Sequence, residues 1–135
     1  MSLQVQLVSP ERILYEGDAD MVIVRTRSDG DLAFLPGHQP FLGALRAWPV
    51  RLISSDGEKV FAVHGGFAQV DDDRVIILSD VAELPSDIDA ARALVAREHA
   101  ESILAANSDD EEAREALDRA NIRLQVAATL SHPER

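Results

Sequence analysis

The chain has 135 residues, and its 24 acidic against 13 basic residues give a formal net charge of −11. The length suits one domain with a modest appendage, and a hydrophobic content of 46% is normal for a globular fold. So acidic a chain is repelled by nucleic acid and by anionic lipid. The absence of cysteine excludes a disulfide scaffold and thiolate metal sites.

Short β-strands separated by turns are predicted for the first part of the chain. Residues 3–7 alternate between aliphatic side chains and glutamines, which is the period of a half-buried strand. Further strands are predicted at residues 13–15, 19–26, 41–47, 50–53, 59–63, 67–70 and 74–78, with turns at residues 16–18, 29–30, 55–57, 65–66 and 71–73. Closely spaced strands without helices between them favour an antiparallel sandwich, which we assign to residues 1–84.

A stiff loop interrupts these strands at residues 35–40, where the sequence is Leu-Pro-Gly-His-Gln-Pro. Pro36 and Pro40 restrict φ to about −65° and have no amide donor, while Gly37 readily adopts positive φ. A loop held this firmly at the surface is predicted to be presented to a partner.

The chain changes at Pro85, after which it is rich in alanine and loses its β-branched runs, as expected for helices. Ser86 or Asp87 is predicted to cap a first helix, with Asp89 in its first turn. This helix is expected to end near Ala106.

A second helix is predicted to begin at the capping-box sequence Ser-Asp-Asp-Glu of residues 108–111 and to end near Leu130, before Pro133. The short link makes the helices antiparallel neighbours, so residues 85–135 are predicted to form a helical hairpin. The apolar stripes of the two helices consist of Ala93, Ala96, Ala100, Ile103, Leu104, Ala113, Ala116, Leu117, Ala120, Leu124 and Ala127. Because alanine buries little apolar area, the hairpin is expected to pack closely but to be held weakly.

Several motifs, in the order expected, resemble the epsilon subunit family of bacterial F-type ATP synthase, the counterpart of the mitochondrial delta subunit. Gly-Asp-Leu at residues 30–32, followed by the stiff loop, resembles the signature loop of the family. Residues 65–70 and 78–83 are similar to its closing strands, and Ile-Asp-Ala-Ala-Arg-Ala at residues 88–93 resembles its first-helix motif. The resemblance covers the whole chain and implies an α+β fold: an N-terminal antiparallel β-sandwich followed by a two-helix antiparallel hairpin.

The resemblance implies a non-catalytic rotor subunit of the central stalk, which couples proton-driven rotation to ATP synthesis. The sandwich would bind the gamma subunit and the c-ring, with Asp31 facing the c-ring and His38 near gamma. The hairpin would inhibit ATP hydrolysis by contacting the α/β catalytic subunits through Arg114, Arg119 and Arg123. Because no apolar run approaches the ~18 residues of a spanning helix and the start lacks a signal peptide, direct insertion and export are not expected. The complex would hold the chain at the cytoplasmic face of the plasma membrane.

The resemblance also allows a regulatory ATP site, although no cofactor is required. In family members that bind ATP, the first-helix motif forms part of the site and arginines of the second helix complete it. The corresponding residues here are Glu83, Ile88, Asp89, Arg92, Arg119 and Arg123. Planar guanidinium donors suit phosphate, whereas the neighbouring aspartates repel it. From spacing alone, Arg92 is expected only to pair with Asp89 on the helix surface.

Catalytic and metal-binding patterns are absent from the sequence. His64-Gly65-Gly66 has no accompanying Gly-x-Ser-x-Gly elbow, the four histidines lack ligand spacing, and the aspartates of residues 71–73 lack calcium-loop spacing and are expected to form a solvated turn. The alternative to a rotor subunit is a free-standing β-sandwich ligand-binding module with a dimerising hairpin. Four Phe, one Trp and one Tyr make a stacking platform hard to build. An enzyme is the third and least supported reading.

Overall fold

Eight β-strands precede a pair of α-helices in the structure, a computed structural model that describes residues 2–131 and the side chains of residues 2–129. The strands are β1 (Leu3–Val8), β2 (Ile13–Ala19), β3 (Met21–Thr26), β4 (Gly30–Phe34), β5 (Phe41–Ser54), β6 (Gly57–Asp71), β7 (Arg74–Leu78) and β8 (Ala82–Glu83). The helices are α1 (Ala90–Ala106) and α2 (Glu111–Ala127), with 3₁₀ turns at Pro85–Asp87 and Ala128–Ser131.

The strands form one continuous sheet in the order β2-β1-β7-β6-β5-β3-β4, and β8 pairs with β6. The pairing of β1 with β7 is parallel, and the other pairs are antiparallel. Buried side chains from strands at both ends of this order share one core, because the long strands β5 and β6 carry the sheet from one layer into the other. The predicted β-sandwich followed by two helices is therefore confirmed.

The alternation predicted for β1 is observed. Leu3, Val5 and Leu7 are buried, whereas the glutamines between them lie on the outer face. Phe34 of β4 and Leu45 of β5 fill the centre of the same core. Each fully buried side chain of this size stabilises the fold by about 1.5–3 kcal/mol, so the sandwich has a substantial core of its own.

The turn predicted at residues 16–18 is wrong. These residues continue β2, and each of them pairs with β1, from Tyr15 opposite Leu7 to Ala19 opposite Leu3. β2 is an edge strand with one partner strand, and the charged side chains of Glu16 and Asp18 are tolerated because they lie on its exposed face.

The prediction of separate short strands in residues 41–53 and 59–70 is also wrong. They form the single strands β5 and β6, and Gly65 and Gly66 lie inside β6 with φ of 95° and 122°. A Cβ atom on Gly66 would lie 2.0 Å from the carbonyl oxygen of Leu78. Gly66 therefore permits close approach of the Leu78 backbone, and neither glycine ends the strand.

The predicted cap of α1 is shifted by two or three residues. Ser86 and Asp87 lie in the 3₁₀ turn, and Asp89 is the N-cap, with an extended backbone and a carboxylate that accepts a hydrogen bond from the backbone N–H of Arg92 at 3.1 Å. A carboxylate at this position satisfies one of the free amides of the first turn.

The second helix is capped by Asp110 and not by Ser108, because the Asp110 carboxylate accepts from the backbone N–H of Ala113 at 3.0 Å. The helix ends at Ala127, three residues earlier than predicted, and continues as a 3₁₀ turn. The proposed stop at Pro133 lies outside the described residues.

The two helices pack against each other, and α2 also packs on β5 and β6. Within the predicted stripes, Ala93 and Ala100 of α1 are buried against α2, whereas Ala96 is exposed. The stripe predicted for α2 omitted Ile122 and Val126, which are buried against the sandwich. The second helix therefore has two contact faces, and alanine lines only the one toward α1.

Candidate functional site

A small apolar cluster holds the hairpin against the sandwich. Ile122 and Val126 of α2 pack on Ala62 of β6, and all three are almost completely buried. Half-buried Ala47, Val60 and Ile88 surround them. We call this contact the docking interface, and the hairpin in this position docked.

An ion pair lies beside the apolar cluster. The Nε atom of Arg123 donates to both carboxylate oxygens of Glu83, at 2.9 and 3.2 Å. One of these oxygens, Oε1, also lies 3.1 Å from Nε2 of His64. The side chain of His64 is only 4% exposed. Residues from β6, β8 and α2 thus meet at one carboxylate.

This arrangement shifts the proton affinities of its members. Burial alone would raise the pKa of Glu83, but hydrogen bonds from Arg123 and His64 outweigh burial and hold it below its ordinary value. Burial lowers the pKa of His64, and the nearby charges of Arg123 and Arg119 lower it further, against the opposing effect of Glu83. The carboxylate is therefore ionised and the imidazole neutral near pH 7.

A cleft of about 330 Å³ opens next to this ion pair, between the chain after β8 and the helices. It is lined by Glu83, Asp87, Ile88, Asp89, Arg92, Ala93, Ala96 and Arg123. Five of the six residues suggested for an ATP site therefore share one cleft. The sixth, Arg119, does not line it.

The basic groups of this cleft are not equally available. Arg123 is engaged by Glu83, whereas Arg92 is exposed and forms no ion pair with any of the residues that the structure describes. The expected surface pair of Arg92 with Asp89 is not formed, because Asp89 caps the helix instead. Three carboxylates in the same cleft oppose the binding of an anion.

Arg119 lies in a second, wider groove of about 790 Å³ between α2 and the sandwich. The other side chains that line it include Arg25, Arg27, Arg46, Trp48, His64, Glu115 and Asp118. Arg25 lies over the Trp48 ring, 3.5 Å from its centroid, and pairs with Asp31 at 2.7 Å. Arg119 and Arg123 of α2 therefore lie in different grooves. Arg114, the third arginine considered for partner contact, is exposed and donates to the Ser108 carbonyl.

The stiff loop is held by a residue that is distant in the sequence. Gly37 has φ of 85°, and its backbone N–H donates to the Asp73 carboxylate at 2.7 Å. The ring of His38 packs edge-on against Phe34, with centroids 5.1 Å apart. Asp73 was expected only to form part of a solvated turn. The sequence therefore did not predict this hydrogen bond between the turn and the loop.

An apolar face of the sandwich is open to solvent, and the sequence reasoning missed it. Phe67 of β6 and Leu78 of β7 lie directly opposite each other and are 54% and 48% exposed. Leu42 of β5, 72% exposed, lies diagonally across from Phe67. Each of the three residues occupies an outward-facing position in the alternation of its strand, and this position is the sequence signal that could have revealed the apolar face. We call these three residues the apolar face.

Neither a metal centre nor a membrane span was found in the part of the chain that the structure describes. Within residues 2–131, histidine and acidic side chains do not gather into a group that could hold a metal ion. None of the helices there is long and apolar enough to cross a membrane.

The fold and the docking interface define a class of protein, a β-sandwich followed by a helical hairpin that a small apolar cluster and one ion pair hold against it. The sequence profile described as "ATP synthase, Delta/Epsilon chain, beta-sandwich domain" matches residues 2–85. The chain therefore belongs to the ATP synthase delta/epsilon chain family.

Similar bacterial proteins carry the name ATP synthase epsilon chain, which confirms the resemblance stated above. The one from Halalkalibacterium halodurans is 45% identical over 130 residues, covering 93% of this chain and 97% of that protein. The one from Alkalihalophilus pseudofirmus is 45% identical over 109 residues, 81% of each chain. The one from Streptomyces griseus is 42% identical over 127 residues, covering 93% and 95%.

Two solved structures share the fold. A chain in the Euglena gracilis mitochondrial ATP synthase aligns with a TM-score of 0.69 at 21% identity, covering 99% of this chain and 82% of that one. A chain in the central stalk and c-ring of the Tetrahymena thermophila mitochondrial ATP synthase aligns with a TM-score of 0.54 at 12% identity, covering 97% of each.

Proposed function

We propose that the chain is a non-catalytic rotor subunit of a proton-translocating F-type ATP synthase, held by the complex at the cytoplasmic face of the bacterial plasma membrane. Its sandwich binds the gamma subunit and the c-ring and couples c-ring rotation to ATP synthesis. The observation that supports this best is the apolar face, because contiguous exposed apolar side chains on a small domain mark a protein interface. The sandwich core leaves Phe67, Leu78 and Leu42 without an internal partner.

Co-purification from the host tests this proposal. The tagged chain is expected to bring down gamma and the α/β catalytic subunits. Phe67→Glu combined with Leu78→Glu should abolish this association, because it places two charges in an apolar contact. Val95→Glu is the matched control, since Val95 is 65% exposed on α1, away from the sandwich. Retention of gamma by the double variant, or no association in any variant, would overturn the proposal.

Two further contacts belong to this function. Asp31 is proposed to face the c-ring from the β3–β4 hairpin, where Arg25 fixes its carboxylate. His38, in the stiff loop, is proposed to lie near gamma. Cross-linking from photoreactive residues at these two positions in the assembled complex should trap the c subunit and gamma, respectively. The opposite pattern would contradict the assignment.

The hairpin is proposed to be a switch that inhibits ATP hydrolysis. In the docked position, α2 is held by a small apolar cluster and one ion pair, so docked and extended states can differ by a few kcal/mol. Extension would free Arg119 and Arg123, which together with the already exposed Arg114 would meet acidic segments of the catalytic subunits. Truncation after Leu84 should raise the ATPase rate of the catalytic complex, most clearly at low ATP. An unchanged rate would leave the hairpin without an inhibitory role.

The cleft beside the docking interface is the proposed site for regulatory ATP. Arg92 is free to bind phosphate, and Arg123 could exchange Glu83 for a phosphate oxygen. The acidic lining makes the expected affinity weak. Millimolar ATP should protect the docked hairpin of the isolated chain from proteolysis, and Arg92→Ala should remove that protection. Equal protection in the variant would exclude Arg92 from the site.

A further inference from the structure

His64 is a buried titratable group at the docking interface, and the functions proposed so far do not use it. It lies on β6, opposite Ala47 of β5, and is covered by α2. Its Nε2 atom faces the Glu83 carboxylate at 3.1 Å. The other charged groups that face it or share its groove are Arg119, Arg123, Arg25, Arg27, Arg46, Glu115 and Asp118.

The hydrogen bond to Glu83 fixes the tautomer of His64. A carboxylate that is ionised can only accept, so Nε2 must carry the proton. In the neutral ring, Nδ1 then has a lone pair and no proton. This Nδ1 atom is buried and has no hydrogen-bond partner among the residues that the structure describes.

A second proton on His64 would have to be added at this Nδ1 atom. In the docked position, the new N–H would be buried without an acceptor, and the ring would become a cation near Arg119 and Arg123. When α2 leaves, both arginines leave with it and water can reach Nδ1. Glu83 then remains as the counter-ion of the imidazolium.

We propose that protonation of His64 releases the docked hairpin, so that acidification shifts the chain toward the extended state. This inference adds a regulatory input to the switch described above. It concerns the position of the hairpin in the chain itself and does not depend on whether the extended hairpin inhibits hydrolysis.

The direction of the pH effect follows from the shifted proton affinity. Burial and the α2 arginines hold the pKa of docked His64 below its ordinary value of 6.5. Docking is therefore favoured in full above about pH 6.5 and is progressively lost as the pH falls toward the docked pKa. Glu83 does not confound this window, because its pKa is held below 4.5. With one proton involved, the ratio of extended to docked chains can rise by up to about tenfold per pH unit.

The position of the hairpin can be followed by energy transfer in the full-length chain. The chain has no cysteine, so Ser28→Cys and Ser108→Cys allow two labels to be placed at exposed positions. Ser28 is in the turn after β3, next to Arg27, and Arg27 shares a groove with α2. Energy transfer should fall as the pH is lowered from about pH 8 to about pH 5.5, and should recover on return.

His64→Gln is the informative variant, because glutamine can still donate to Glu83 but cannot become a cation in this range. It should abolish most of the pH response. His99→Gln is the matched control, since His99 is exposed on α1, and it should respond as the parent does. A parent without a pH response, or a response that survives in His64→Gln, would overturn the proposal.

Two-dimensional NMR of the imidazole gives a second readout that needs no His64 substitution. His64 in the parent chain should titrate below its ordinary pKa of 6.5. In Ile122→Asp, the hairpin should undock because docking would bury the new carboxylate, and the pKa of His64 should then rise. An unchanged pKa in that variant would show that docking does not control His64. If energy transfer and NMR both give the expected results while truncation after Leu84 leaves the ATPase rate unchanged, the pH-dependent release of the hairpin stands and its proposed inhibition of hydrolysis is contradicted.

Discussion

Replacement of Ile122 by alanine should shift the hairpin from the docked to the extended state without unfolding either part. Ile122 is 3% exposed and contacts the sandwich through the apolar cluster with Ala62 and Val126. The substitution removes three carbon atoms from this contact. At about 0.8 kcal/mol for each buried carbon, docking should weaken by about 2.4 kcal/mol, which corresponds to about a 50-fold change in the docking equilibrium.

This effect should not arise from the helix itself, because alanine is a better helix former than isoleucine. Energy transfer between the labels at Ser28 and Ser108, measured near pH 7.5, should report the extended population, while circular dichroism should show unchanged helix content. Val95→Ala is the matched control, since it removes two carbons from a side chain that is 65% exposed on α1. It should leave docking unchanged.

Two results would refute this reasoning. If Ile122→Ala lowered the global free energy of unfolding by the full amount with no gain in the extended population, the hairpin and sandwich would unfold as one unit. If docking were unaffected, the apolar cluster would not hold the hairpin.

Three further predictions concern the scaffold around these sites. Gly66→Ala should lower the free energy of unfolding by about 2–5 kcal/mol in urea titrations, because the residue has φ of 122° and its Cβ would meet the Leu78 carbonyl; a loss below about 1 kcal/mol would contradict the close approach. Asp73→Asn should speed hydrogen exchange of the Gly37 amide by about fivefold, the equivalent of about 1 kcal/mol, and unchanged exchange would mean that the loop is held by other contacts. Asp89→Ala should destabilise α1 by about 1 kcal/mol, seen as increased exchange in its first turn, whereas no change would rule out its role as the cap.

Local patterns in the sequence determined the kinds of elements in this protein. Alternation in residues 3–7 identified a half-buried strand, alanine content after Pro85 identified the helices, and the motif at residues 88–93 carried the family resemblance. These signals succeed because strand period, helix propensity and capping act between residues close together in the chain. The predicted helix caps are wrong by two or three residues, because Asp89 and Asp110 compete with neighbouring acidic or hydroxyl side chains for the same free amides.

Only the tertiary structure decided where distant residues meet. Glycines at residues 65–66 were predicted to break the strand, yet they lie within β6, because glycine adopts the positive φ found there and the missing side chain of Gly66 admits the Leu78 backbone. Arg119 and Arg123 are one helical turn apart, but with α2 docked on the sandwich they line different grooves. His64 and Arg123 reach Glu83 across 19 and 40 residues of sequence. Such contacts depend on strand register and on helix docking, which are set by packing of the whole chain and leave no local periodicity to read.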